Sequence, residues 1–370
     1  HTGTTLADGG YAVTAAATDA SGNTSSTSSA LNITIDTSAP SAPTVAAITD
    51  DTGTASDGIT SDNQLVITGT AEANASVEVF IDAGSIGTTT ADGSGNWSFD
   101  HTGTTLSDGS YAITAAAMDA SGNTSAASSA LNITVDTAAP VAPAVTTITD
   151  DTGTASDGIT SDNQLIITGT AEANASVEVF IDAGSIGTTT ADGSGNWSFD
   201  HTSTTLADGS YAITAAATDV SGNTSAASSA LNITVDTAAP SAPTVAAITD
   251  DTGTASDGIT SDSQLIITGT AEANASVEVF IDAGSIGTTT ADGSGNWSFD
   301  HTGTTLSDGS YAITAAAMDA SGNTSAASSA LNVTVDTAAP AAPAVTAITD
   351  DTGTASDGIT SDNQLVITGT

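Results

Sequence analysis

Between residues 38 and 137 apolar and polar positions alternate over short runs, each closed by Gly, Asn, Asp or Pro. That period of two is the mark of half-buried strands. It predicts strand A over Thr44 to Ile48, B over Gln64 to Thr68, C over Ser76 to Ile81 and D over Ile86 to Thr90. E follows over Trp97 to Phe99, F over Tyr111 to Met118 and G over Ala130 to Val135. The inward faces would carry Leu65 and Ile67, Val77, Val79 and Ile81, Tyr111, Ile113 and Ala115, and Leu131, Ile133 and Val135. Helical periodicity is sustained nowhere, so the chain is predicted to be all-β.

The same pattern returns every 100 residues, in phase with His1, His101, His201 and His301, and the copies differ at few positions, such as Ile133 against Val333. All eight prolines fall in pairs three residues apart, Pro40 and Pro43 and their equivalents, each pair just after an Asp-Thr. Paired prolines favour extended backbone, so these are short, stiff junctions between units. The expected units are 38–137, 138–237 and 238–337, with 1–37 the C-terminal part of a repeat and 338–370 the N-terminal part. Residues 1–37 hold only strands F and G and 338–370 only A and B, so joined they would still lack C, D and E, and the sequence reads as a window on a longer tandem array. Seven short strands per unit, with turn signals at regular spacing, predict tandem immunoglobulin-like seven-strand β-sandwich domains in a linear array.

Composition sharpens the picture. Each unit is long enough for one small core, but that core is lean: four aromatic residues (Phe80, Trp97, Phe99 and Tyr111 in the first complete copy) among many alanines and threonines. There is no cysteine, which excludes a disulfide framework and thiolate chemistry. There is no lysine or arginine either, against 43 acidic residues, a formal net charge of -43. Such a surface excludes nucleic acid and anionic lipid as partners, because phosphate binding needs basic side chains. No apolar run of 18 residues and no signal-peptide pattern is present, so the stretch is expected to be soluble, without membrane insertion and without an address of its own.

If successive strands alternate in direction, the acids collect at the poles of each sandwich. The leading pole of 38–137 gathers Asp50, Asp51, Asp57 and Asp62 from the A–B loop, with Asp82, Asp108 and Asp136. The trailing pole of 138–237, across the prolines, offers Glu172, Asp192, Asp219 and Asn223. Two carboxylates about 4 Å apart repel by roughly 4 kcal/mol at an effective dielectric of 20, so four aspartates in one loop call for a counter-ion. Calcium suits them: it takes six to eight oxygens with tolerant geometry, whereas magnesium demands a stricter octahedron and zinc prefers His or Cys. The candidate ligands are Asp36, Asp50, Asp51, Asp57, Asp62, Asp108, Asp119, Asn123 and Asp136. Their repeats are Asp150, Asp151, Asp157, Asp162, Asp208, Asp219, Asn223 and Asp236, then Asp250, Asp251, Asp257, Asp262, Asp308, Asp319, Asn323 and Asp336. Asp350, Asp351, Asp357 and Asp362 complete the set.

A plainer reading stands beside this one. Asp, Asn and Gly also make turns, and this suits Asp92-Gly93-Ser94-Gly95-Asn96 better than a cation does; Asp119 to Asn123 suits both. No segment matches the twelve-residue EF-hand loop or the glycine-rich nonapeptide calcium repeat. His101 and its copies stand one per unit and read as loop residues. No Gly-x-Ser-x-Gly elbow and no basic group for an oxyanion is present, so no enzyme is expected. Trp97 reads as core, and the Asn-x-Ser/Thr triplets at Asn74, Asn96, Asn123 and Asn132 as incidental. Thr88 to Thr90 fits an exposed strand better than an ice-binding array.

Five motifs in fixed order carry a family resemblance. They are Asp136-Thr137-Ala138-Ala139-Pro140, Ile48-Thr49-Asp50-Asp51-Thr52-Gly53, Gly69-Thr70-Ala71-Glu72, Asp92 to Phe99, and Asp119-Ala120-Ser121-Gly122-Asn123-Thr124-Ser125. Together they resemble the tandem bacterial immunoglobulin-like extender repeats of giant type I-secreted, calcium-dependent surface adhesins. The resemblance covers the whole chain. It implies a calcium-stabilised stalk on the bacterial cell surface, in contact with calcium and neighbouring repeats, projecting a distal binding region toward surfaces, biofilm partners or ice. Two rival readings remain open: a multivalent carbohydrate- or protein-binding module, and an extracellular matrix or surface-layer filament.

Overall fold

The computed structural model describes residues 3–349, Thr352, Thr354, 357–361, Asn363, Gln364 and 366–370. His1, Asp350, Asp351 and Asp362 lie outside the described residues. Every element among the described residues is a strand, and no helix is long and apolar enough to cross a membrane.

Residues 9–35 contribute β1 (Gly9–Val13) and β2 (Leu31–Ile35), an antiparallel pair. The first complete repeat holds β3 (Thr44–Ile48), β4 (Ile59–Thr60), β5 (Val66–Thr70), β6 (Ser76–Ile81), β7 (Gly84–Thr90), β8 (Asn96–Asp100), β9 (Gly109–Met118) and β10 (Leu131–Val135). They form two sheets, β3-β5-β8 and β4-β10-β9-β6-β7. All pairings are antiparallel except β10 with β4.

Strands A and C lie where the alternation puts them, and D to G differ by a residue or two at their ends. Strand B is displaced by two residues, to Val66–Thr70, and Leu65 is fully buried in the loop before it. The element missing from the alternation is β4. After β3 the chain leaves the three-stranded sheet, crosses the edge of the sandwich and lays Ile59 and Thr60 parallel to Thr134 and Val135. Two residues between Gly58 and Ser61 are too few to show a period.

Between the sheets lie Ile48, Leu65, Ile67, Val77, Val79, Ala91, Trp97, Ile113, Ala115, Ile133 and Val135. Trp97, the largest, covers Gly69 on the neighbouring strand; a Cβ there would overlap the indole and the Thr44 carbonyl oxygen. Phe99 stays partly exposed and stacks on His101 with ring centroids 6.1 Å apart.

β9 outruns its partner. β10 pairs only with Gly109 to Ile113, leaving the upper half of one edge without a strand. Serines fill the gap: the Ala115 and Ala117 N–H groups donate to Ser128 Oγ at 3.0 Å and Ser125 Oγ at 2.9 Å. The Ser125 and Ser128 N–H groups donate back to the same alanines' carbonyls at 2.8 Å. Two hydroxyls thus stand in for ladder carbonyls, and the alanine N–H groups are satisfied without a regular strand.

The chain divides into two compact units, one of His1–Asp150 with Gln164–Thr234, the other of Asp151–Asn163 with Val235–Thr370. In the first, the second repeat rebuilds the three-stranded sheet from Ala144–Ile148, Ile166–Thr170 and Asn196–Asp200. In the second, the third repeat rebuilds both sheets over Thr244–Val335, and its buried apolar residues match those of the first repeat position for position except Val333 for Ile133.

Candidate functional site

The leading pole of the first complete repeat is built by the A–B loop and organised by one buried hydroxyl. Thr60 is fully buried; its Oγ1 donates to the Asp50 carbonyl at 2.8 Å and accepts the Asp62 N–H at 3.0 Å. Thr52 Oγ1 lies 3.1 Å from it and accepts the Ser61 N–H at 2.6 Å. The loop is therefore closed by neutral hydroxyls, and its carboxylates are arranged around that knot.

Those carboxylates do several jobs. Asp57 Oδ1 accepts the Ile59 N–H at 2.8 Å and Asp62 Oδ1 the Gln64 N–H at 2.9 Å, so both cap their own turns. Asp157, Asp257 and Asp357 do the same for Ile159, Ile259 and Ile359, and Asp262 for Gln264. Asp50 and Asp250 receive a threonine hydroxyl through their main-chain carbonyls. Asp150, Asp162 and Asp208 also have interaction partners.

Asp51 differs. Its Oδ2 accepts a long bond from the Gly58 N–H, 3.4 Å, as Asp151 Oδ2 does from Gly158, while Asp251 Oδ2 accepts the Ser256 N–H at 2.6 Å; in all three Oδ1 is buried with no donor. Asp51 lines a cavity of about 130 Å³ with Ile48, Ser56, Gly58, Leu131 and Ile133. Asp251 lines the corresponding cavity, about 250 Å³, in the third repeat. A buried carboxylate oxygen without a partner is costly, and its threefold recurrence marks a position suited to a bound cation.

At the junction, Asp136 Oδ2 accepts the Ser221 hydroxyl at 3.1 Å and its carbonyl accepts Asn223 Nδ2 at 2.8 Å. Asp236 makes the same pair with Ser321 and Asn323, 3.3 and 2.7 Å, and Asp36 with Ser121 and Asn123, 3.2 and 3.1 Å. The end of strand G thus meets the F–G turn of the following repeat, the pole-to-pole arrangement that alternating strands predict. Asp336 Oδ1 accepts the Ala338 N–H at 3.0 Å.

Asp119 accepts the Ser121 and Asn123 N–H groups at 2.8 and 2.9 Å and Asn123 Nδ2 at 2.8 Å. Asp219 and Asp319 accept the equivalent Asn N–H and Nδ2. The Asn123 amide is the main reason the Asp119 carboxyl sits below the usual carboxylate range. Asp108 and Asp308 each accept the N–H and hydroxyl of Thr137 and Thr337; at Asp308 the N–H is the larger cause of a lowered pKa. Asp82 accepts the Ala112 N–H at 2.9 Å, and Asp192 caps its own turn through Ser194 and Asn196. Glu172 lines an open cleft with Val141, Ala142 and Thr170.

Among the described residues no three His, Asp or Glu side chains stand together in an arrangement that could hold a metal ion. The structure gathers Asp136, Asp219 and Asn223, and separately leaves Asp51 as an orphan in the A–B loop. Sequence reasoning passed over the joint's neutral groups: Thr52, Ser61 and Ser221. The available signal was a glycine in each facing loop, Gly53 and Gly222, both at positive φ.

A family described as bacterial Ig-like domain matches at residues 39–137, 139–237 and 239–337. The chain is 32% identical over 306 residues to exoglucanase B of Cellulomonas fimi, covering 79% of this chain and 26% of that enzyme. It therefore spans about a quarter of the length of the curated relative it matches. Among solved structures it is similar to a tetra-tandem repeat in the extending region of a large adhesion protein, at 24% identity, 90% and 83% coverage and a TM-score of 0.31. It is also similar to a 1.5-MDa bacterial ice-binding adhesin, at 23% identity, 76% and 95% coverage and a TM-score of 0.34.

Proposed function

The chain belongs to the bacterial Ig-like domain family, and on that premise we propose that it is an extender segment of a secreted bacterial cell-surface adhesin. It performs no reaction; its repeats space a distal binding region from the cell. The observation that carries this reading is the recurrence of one junction: Asp36, Asp136 and Asp236 each receive the serine and asparagine of the next F–G turn. A unit that docks its successor in the same way every time converts repetition into reach. The tryptophans are spent on the core, with Trp97, Trp197 and Trp297 all buried, which leaves no exposed indole for a sugar platform.

Calcium is the second part of the proposal. The donor set is hard oxygen only, and the orphaned Asp51 Oδ1 fits a cation of that kind. Asp51 would be its carboxylate ligand in the first complete repeat, and Asp151 and Asp251 would take that part in the next two. The ion would neutralise the loop and stiffen it. A ligand that binds only the folded state stabilises it by about 2.7 kcal/mol at a hundredfold excess over Kd. Calorimetric titration of the chain with calcium should therefore show saturable binding and a raised melting temperature, both lost in the triple variant Asp51→Asn, Asp151→Asn, Asp251→Asn. No binding heat, with the same melting temperature in calcium and in excess chelator, would refute the calcium reading.

A further inference from the structure

The joint carries a second set of contacts that needs no cation. The Thr54 N–H donates to the Val220 carbonyl at 3.3 Å, the Ser61 N–H to the Ser221 carbonyl at 3.2 Å, and Thr52 Oγ1 to that same carbonyl at 2.6 Å. One repeat on, Thr154, Ser161 and Thr152 donate to the carbonyls of Ala320 and Ser321 in the same way. Every one of these donors and acceptors is neutral. Two glycines make the approach possible: a Cβ on Gly53 would overlap the Val220 carbonyl oxygen, and one on Gly222 would crowd the Gly53 nitrogen. Because the turn is gripped through main-chain oxygens, the side chain at position 220 is free to vary, and the copies do vary there between Ala120, Val220 and Ala320.

The chain contains its own controls. Ser221 and Ser321 are 0% and 1% exposed, whereas Ser21 and Ser121, which no A–B loop precedes at that spacing, are exposed. In the third repeat the A–B loop has no following F–G turn within this sequence. There Thr252 and Ser261 are exposed, and Gly253, at φ +84, has nothing within 4 Å of a Cβ. The turn is ready-made in either case: in the unclasped turn Gly122 donates to the Asp119 carbonyl and Asp119 holds Asn123, as Gly222, Asp219 and Asn223 do in the clasped one.

We propose that each A–B loop is a metal-independent clasp that closes on the preformed F–G turn of the repeat that follows, so that order passes along the chain in one direction, from a repeat to its N-terminal neighbour. The inference rests on the tandem arrangement and not on calcium, and its test is run in excess chelator so that the two can fail separately.

The test is amide hydrogen exchange on the intact 370-residue chain in EDTA. Peptides that run from residue 41 to beyond residue 66, and their equivalents, differ in mass in all four copies of the loop, so the unclasped third copy is read separately. Thr54 and Thr154 should exchange about tenfold or more slowly than Thr254, the effect of one or two added hydrogen bonds. Gly153→Ala should raise exchange at Thr154 and Ser161 to the level of Thr254 and Ser261 while leaving Thr54 and Ser61 protected. Gly253→Ala bears the same left-handed strain with no neighbour to strike, and should leave all four protected. Equal exchange in the three loops, or protection at Thr154 that survives Gly153→Ala, would overturn the proposal. So would protection that appears only when calcium is added.

Discussion

Ser228 is a single hydroxyl that completes a strand edge, and Ser228→Ala tests how much of the sandwich depends on it. Its Oγ accepts the Ala215 N–H at 3.0 Å and donates to the Ser229 carbonyl at 2.8 Å; Ser228 is 9% exposed and Ala215 fully buried. Alanine keeps the main-chain bond from Ser228 N–H to the Ala215 carbonyl, 2.8 Å, but leaves the Ala215 N–H with no acceptor where water has little access. An unsatisfied buried donor costs about 1–3 kcal/mol. For a domain of this size each kcal/mol moves the melting temperature by roughly 4–8 °C, so the variant repeat should melt about 4 to 24 °C early. Scanning calorimetry of the whole chain should then split: the second repeat unfolds first, and the third keeps the wild-type transition. Ser229→Ala, an exposed neighbour, should leave the profile within about 0.5 kcal/mol of wild type. A single unsplit transition in Ser228→Ala, no lower than in Ser229→Ala, would refute the claim that hydroxyls complete this ladder.

Two further outcomes follow from the same geometry. Gly169→Ala places a Cβ on the Ala144 carbonyl and the Trp197 indole. Overpacking of this kind costs about 1–3 kcal/mol, and because each complete repeat has one tryptophan, the near-ultraviolet dichroism should fall by about a third; an unchanged spectrum and stability would contradict the packing described. The second concerns acid. Asp119 is held below its ordinary value of 3.8 by Asn123, so its contribution is present above that value and lost as pH falls through the lowered one. Wild type should therefore be more stable than Asp119→Ala at pH 5, and the difference should shrink below pH 3.8. Using the difference cancels the general relief of repulsion as the other acids protonate, and a gap that stayed constant to pH 2 would contradict the assignment.

Much of the fold was legible because it is written in period two. Val77, Val79, Ile113 and Ala115 alternate so regularly that strand and inward face come out together, and all four are fully buried. β4 was not legible, since Ile59 and Thr60 are strand only by virtue of their neighbour β10. The serine-completed edge of β9 was hidden for a similar reason: Ser125 and Ser128 look like loop residues until the strand beside them lacks a partner. At the joint, charge drew attention to the acids, yet Asp57, Asp62, Asp92 and Asp119 largely accept N–H groups of their own turns. Asp136 and Asn223 do bridge repeats, but the rest of the joint is hydroxyls and main-chain groups, for which composition gives no signal. Asp51 could be picked from the acid cluster, but its unpartnered oxygen is a property of packing alone.

The proposal that the repeats form a stiff spacer is tested most directly by small-angle scattering of the 370-residue chain in calcium. A sandwich with strands of six or seven residues and loops at both ends is roughly 40 Å long at about 3.3 Å per residue. Three such domains end to end span roughly 120 Å, and a rod of that length has a radius of gyration of about 35 Å, against about 21 Å for a compact globule of the same number of residues. The account predicts a value of about 35 Å or more with a rod-like distance distribution. A value near 21 Å would contradict it.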